Sequence, residues 1–148
     1  MPEVATMSPT DYLASTRAWS LRALVMNDCS ATRGPGSPES PGSVHAERSV
    51  TNHADGLSVG YSISQETSFL DQAGELIAVV NVSYLVVYDT GAAEPSAELV
   101  KLFTPSAIMH VTPFLREFIA TMTNRLALPP YYLPLVREDE IQVETASE

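Results

Sequence analysis

Residues 94–136 read EPSAELVKLFTPSAIMHVTPFLREFIATMTNRLALPPYYLPLV, and this stretch decides the architecture. Its second half has the pattern of one amphipathic helix. Thr112 can cap that helix, and Pro113 suits the first helical position, where a missing N–H costs nothing. Leu115, Phe118, Ile119, Met122 and Leu126 then recur at spacings of three and four, giving one apolar stripe. Pro129 and Pro130 end it, because proline bars a continuing helix and pushes Leu128 toward an extended conformation. Ser96–Phe103 carries a shorter stripe through Leu99, Leu102 and Phe103, and Thr104-Pro105 repeats the cap-and-proline start. The spacing therefore predicts two or three helical pieces joined by kinks. The plainer alternative is a surface helix whose stripe only packs on a sheet.

The same residues carry a resemblance. Pro113-Phe114-x-Arg116-Glu117-x-Ile119, then Arg125-x-x-Leu128-Pro129, then Leu133 and Val136, is similar to the long-helix signature of the SecB family of export chaperones. That family reads Pro-Tyr-x-Arg-Glu-x-Ile, then Arg-Gly-x-Phe-Pro, then Leu and Pro-Val. The match runs without a gap from Pro113 to Val136, about a sixth of the chain, with Phe114 for Tyr, Leu126 for Gly and Leu128 for Phe. Lacking that glycine, it more closely resembles the SecB-like chaperones that serve toxin–antitoxin systems. The resemblance implies four antiparallel strands with a long crossover after the first, then the helix. It also implies a homotetramer, a dimer of dimers with its long helices between two sheets. Leu115, Phe118, Ile119 and Met122 would then serve assembly as well as the core, and Arg116 and Glu117 would anchor the helix to its neighbours. Two departures stand out. The family continues past Pro-Val with Asn-Phe and a second amphipathic helix, whereas here Arg137-Glu138-Asp139-Glu140 follows at once. The family's acidic contact for the SecA motor lies on the last strand, around what are here Ala78–Val82, and no acid is found there.

Upstream of the helices the period changes to two. From Arg17 to Thr32, Trp19, Leu21, Ala23 and Val25 alternate with Ser20, Arg22 and Leu24, which predicts a strand with one packed face. Arg33–Ser43, RGPGSPESPGS, is a loop that can neither pair nor pack, a crossover connection rather than a domain boundary. Val44–Thr51 alternates weakly and is at most a short edge strand. Asp55-Gly56 signals a turn. Leu57, Val59, Tyr61 and Ile63 then alternate with small polar residues, the pattern of a half-buried strand. Ala73-Gly74 makes a hairpin turn. Glu75–Tyr88 is apolar on both faces except at Asn81 and Ser83, as for a strand covered on both sides or by an oligomer partner. Strands first and helices after them predict an α+β domain: an antiparallel sheet with the long C-terminal helix packed on one face. The expected division is a flexible N-terminal segment over 1–16, a SecB-like domain over 17–136 and an acidic tail over 137–148. Within the first segment, Ser8-Pro9-Thr10-Asp11 can open a short helix through Tyr12 and Leu13.

Composition narrows the function classes. A chain of 148 residues with 45% hydrophobic and 18% charged residues is one folded domain rather than a disordered segment. Its net charge of -10 argues against nucleic acid and anionic membranes, which select basic faces. No apolar run is long enough to span a bilayer, and Met1–Ala18 lacks a leader pattern. The lone Cys29 cannot form an internal disulfide, so a cytoplasmic home is expected. His45, His53 and His110 are too scattered for a metal centre, and no nucleophile elbow or phosphate-binding glycine loop occurs. Val86-Val87-Tyr88-Asp89-Thr90-Gly91-Ala92 resembles the signature of retropepsin-like aspartic proteases. Such an enzyme also needs a glycine-bearing flap, and no glycine follows Gly91. Asp89-Thr90-Gly91 therefore reads better as the turn ending the last strand. The chain is expected to be no enzyme and to need no cofactor.

A holdase chaperone needs another kind of site, exposed apolar surface that can cover an extended segment without sequence preference. The candidates are Trp19 on the first strand and Tyr131, Tyr132, Leu133 and Leu135 after the helix, residues that could equally seal the sheet edge. The function implied is an ATP-independent chaperone whose partners are unfolded or nascent polypeptides, SecA, or an antitoxin. The alternative is a module of the same fold with one dedicated partner.

Overall fold

The computed structural model describes residues 7–128. In chain order these form helix α1 (Pro9–Thr16), strands β1 (Ser20–Arg33), β2 (Pro41–Asp55), β3 (Ser58–Asp71) and β4 (Leu76–Asp89), and helices α2 (Ala97–Leu102) and α3 (Thr104–Arg125). The strands make one antiparallel sheet in the order β1-β4-β3-β2, and both helices after β4 pack on one face of it. This is the expected α+β architecture, with the long crossover after the first strand.

Burial alternates with period two along β3 and β4. Val59, Tyr61, Ile63, Gln65, Thr67 and Phe69 of β3 are all buried beneath the helices, as are the alternate residues from Ala78 to Tyr88 of β4. The intervening residues, such as Ser62, Ser64, Ser83 and Leu85, point to the opposite face and are half-buried. Apolar residues on β4's second face, Val79, Leu85 and Val87, thus lie on an outer sheet surface that carries no helix among the described residues.

Three local expectations are corrected. β1 is packed only thinly: none of its residues is buried, and Leu24, not the expected Leu21, Ala23 and Val25, is the one that lies half-buried against the core. Bulges between Leu21 and Ala23 and between Met26 and Asp28 break its alternation. Leu21, Leu24 and Met26 consequently share the helix side, opposite Tyr88, Val86 and Tyr84, while Ala23 and Val25 turn to the outer face. β2 is no short fragment but runs from Pro41 to Asp55, because pairing with β3 along nearly its whole length overrides its weak local pattern. The crossover also pairs. Gly34 and Gly36 donate to the carbonyls of Ile77 and Leu76 at 2.8 Å each, an approach that only a missing side chain permits. A Cβ on Gly34 would lie 2.2 Å from the Leu76 oxygen. Asp71 completes the tie, its carboxylate accepting from the backbone N–H groups of Ser37, Ala73 and Glu75 at 3.0, 2.9 and 2.9 Å.

The helix also starts earlier than its signature suggests. α3 begins at Thr104 and runs through Pro113 to Arg125. Thr112 is no cap: its hydroxyl donates to the Ile108 carbonyl at 2.7 Å, within the helix. Pro113 and Met109 both lie on the exposed side, so the carbonyl that proline leaves unpaired faces water. The buried stripe is Ala107, Ile108, Val111, Leu115, Ile119 and Thr123, with Phe118, Met122 and Leu126 half-buried along its flank. At the end Ala127 adopts φ 58°, Ala127 N–H returns to the Asn124 carbonyl and Leu128 N–H to that of Thr123. That is a Schellman turn built on an alanine, and it buries Leu128.

Candidate functional site

α3 lies antiparallel along β4. Tyr88 reaches His110, with 2.6 Å between Oη and Nδ1, and one turn later Tyr84 Oη meets the Phe114 carbonyl at 3.4 Å. At the Tyr88 end the sheet and the helices enclose an aromatic cluster. The Trp19 ring sits 4.5 Å from Phe103 and 6.4 Å from Tyr88, and Tyr61 stands edge-on to Tyr88 at 6.0 Å. Phe103, in the kink between α2 and α3, also packs edge-on to Tyr88 at 4.8 Å. Tyr61 donates its hydroxyl to the Val100 carbonyl of α2, which ties that short helix to the sheet. Burial pushes the phenols of Tyr61 and Tyr88 well above the usual tyrosine range, so both stay neutral. Tyr12 closes the cluster from α1, its hydroxyl 3.3 Å from Ser106 Oγ, although α1 itself buries no residue.

Trp19 is thus half-buried in this cluster rather than free on a strand face. Tyr131, Tyr132, Leu133 and Leu135 lie outside the described residues. Leu115 and Ile119 are wholly buried by the chain's own sheet, and Phe118 and Met122 are only partly covered. The sequence reading missed a second surface. Met26 of β1 pairs with Tyr84, the Phe114 ring lies 6.2 Å from Tyr84, and Met26 and Phe114 are both more than 40% exposed. Leu21, 52% exposed, lies on the same side of β1. The result is an apolar seam between β1 and α3. Only the bulged register reveals it.

The outer sheet face is different in character. A shallow saddle crosses it, lined by Asp28, Ser30, Glu47, Ser64, Glu66, Asn81 and Ser83. Its lining is mainly polar, with Arg48 as its one basic residue beside those acids, and it suits water rather than apolar segments. Asp89-Thr90-Gly91 is a turn, as the sequence suggests. The Asp89 carboxylate accepts from Gly91 N–H at 2.8 Å, Gly91 has φ 88°, and the Thr90 hydroxyl lies within hydrogen-bonding reach of the Leu57 and Ala93 carbonyls. Among the described residues no group of histidine, cysteine or acidic side chains could hold a metal ion, and no helix is long and apolar enough to cross a membrane.

No family model matches this sequence, and no curated protein matches it. In structure the chain is similar to a Mycobacterium tuberculosis SecB-like chaperone solved in complex with a ChAD peptide from an antitoxin, with a TM-score of 0.77 at 19% sequence identity. The similarity covers 86% of this chain and 97% of that one. The chain therefore has a SecB-like fold.

Proposed function

We propose that this chain is an ATP-independent chaperone, a holdase that covers extended stretches of non-native polypeptide and works as a homotetramer in the cytoplasm. The observation that carries the reading is apolar surface left over once the core is complete. Leu21, Val25 and Met26 on β1 and Met109 and Phe114 on α3 are each between 42% and 71% exposed. Such surface binds by non-directional burial, which a protein serving many sequences needs. Trp19, with Tyr131, Tyr132, Leu133 and Leu135, forms the proposed client contact. Phe118 and Met122 are the flank offered to a second copy, while Leu115 and Ile119 support it from within the core. A dedicated antitoxin-like client is favoured over general export by the peptide seen in the structurally similar chaperone.

The test is light scattering from denatured clients diluted with and without a stoichiometric amount of this chain, in the absence of nucleotide. Suppressed aggregation is expected, and it should weaken when Tyr131 and Tyr132 are both changed to serine. Unchanged scattering across several clients and an antitoxin would sink the reading.

A further inference from the structure

Arg48 is out of keeping with its surroundings. In a chain with 18 acidic and 8 basic residues, this guanidinium has no carboxylate partner among the described residues. It is also only half-exposed, and burial alone pulls its pKa down. A cation held partly out of water without a counter-charge is costly unless something compensates it.

What holds it is neutral. Arg48 pairs across the β2–β3 ladder with Gln65, and its Nε and Nη2 both donate to Gln65 Oε1 at 3.0 and 2.7 Å. Gln65 is buried and donates in turn through Nε2 to Thr67 Oγ1 at 3.1 Å. This relay orients the amide so that its oxygen faces the arginine. It occupies the side-on edge of the guanidinium. The end-on edge, formed by Nη1 and the second Nη2 hydrogen, meets no acceptor among the described residues, and it has the spacing that a carboxylate takes with two parallel hydrogen bonds.

Position supplies the rest. β2 is an outer strand of the sheet, so its far backbone edge faces no other strand among the described residues. On the helix side Arg48 sits between Ala46 and Val50, with Val44 38% exposed beyond Ala46. An extended segment laid along β2 can add main-chain hydrogen bonds at that edge and apolar contact at Val44 and Ala46. Only Arg48 offers a charge there.

We propose that Arg48 anchors a carboxylate of an extended peptide bound along β2, so that the chain selects segments carrying an aspartate or glutamate among apolar residues. The inference rests on the reading of the chain as a binder of extended polypeptide. It adds a selectivity that apolar surface does not give.

The experiment is fluorescence anisotropy of the full chain with two labelled peptides of alternating apolar sequence, identical except for a central glutamate in one and glutamine in the other. The glutamate peptide should bind about tenfold more tightly, as a charge-assisted pair lost from a half-buried site implies. Arg48→Gln should bring the two to the same affinity, and Arg48→Lys should restore part of the difference. Equal binding of both peptides by the unaltered chain overturns the anchor while leaving the polypeptide-binding reading intact. Binding of neither peptide overturns both. A preference that appears only after residues 137–148 are removed would assign Arg48 to the chain's own acidic tail and overturn the partner proposal.

Discussion

Tyr61 joins the two layers of the molecule through a single hydroxyl. Its donor to the Val100 carbonyl is buried, so Tyr61→Phe leaves that carbonyl unpaired and should cost about 1–3 kcal/mol in urea unfolding. The same burial has a consequence at high pH. Tyr61 and Tyr88 are held protonated in the folded chain well above the tyrosine value of about 10 that the unfolded chain shows. Their contribution is fully present below that value and declines as pH rises beyond it. Unfolding curves measured across the alkaline range should show stability falling, and the fall should be shallower in Tyr61→Phe or Tyr88→Phe. Asp71 works in the opposite direction. Backbone donors from Ser37, Glu75, Ala73 and Gly74 hold its carboxyl below the ordinary aspartate range. Its contribution is therefore present above the unfolded pKa and is lost as pH falls through the folded one. Asp71→Asn should destabilise the chain at neutral pH and make little difference in strong acid, a contrast that paired urea titrations would read directly.

At the scale of elements, the helix end carries its own test. Ala127 occupies a left-handed conformation that favours glycine, and the two Schellman hydrogen bonds require it. Ala127→Gly should stabilise the chain by about 1 kcal/mol, measured by denaturant midpoint, unless Leu128 loses its seat. What could be read from sequence follows from which elements obey a single period. β3 was legible because Leu57, Val59, Tyr61 and Ile63 alternate with small polar residues, and β4 because Glu75–Tyr88 is an unbroken β-branched and apolar run, although only the structure shows which of its faces is buried. β1 misled because its two bulges leave no mark in composition yet exchange the faces of Ala23 and Val25 relative to Leu21. Thr112-Pro113 copies the chemistry of a helix start, and only the run Ala107, Ile108, Val111 reveals that the helix is already under way. For the site, Trp19 was visible as an aromatic residue at a strand entry. Phe103, Tyr61 and Tyr88 could have been added from strand parity, had the helices been placed over that end. Arg48 had no local signal, since a lone arginine in a weak strand gains meaning only when register sets Gln65 opposite it.

Taken whole, the molecule separates residues that hold it together from residues left for others. Leu115→Ala or Ile119→Ala removes side chains with no exposed surface and should cost about 2–5 kcal/mol of stability. Phe118→Ser with Met122→Ser alters a half-covered flank instead. On the assembly proposed above, that pair should lower the sedimenting mass while circular dichroism stays unchanged. Topology then sets an order of events. Of the described strands β1 leaves the ribosome first, but the one it pairs with, β4, is made last of the four. Until Leu76–Asp89 emerges, Leu21, Val25 and Met26 have nothing to lie beside, and Gly34 and Gly36 have no carbonyls to reach. The β2–β3–β4 meander can close by short hairpins, whereas the first strand must wait across a long loop. During its own synthesis, then, the chain displays an extended, apolar, unfinished segment of the kind it is proposed to hold, and on that proposal its own nascent copies belong among its clients.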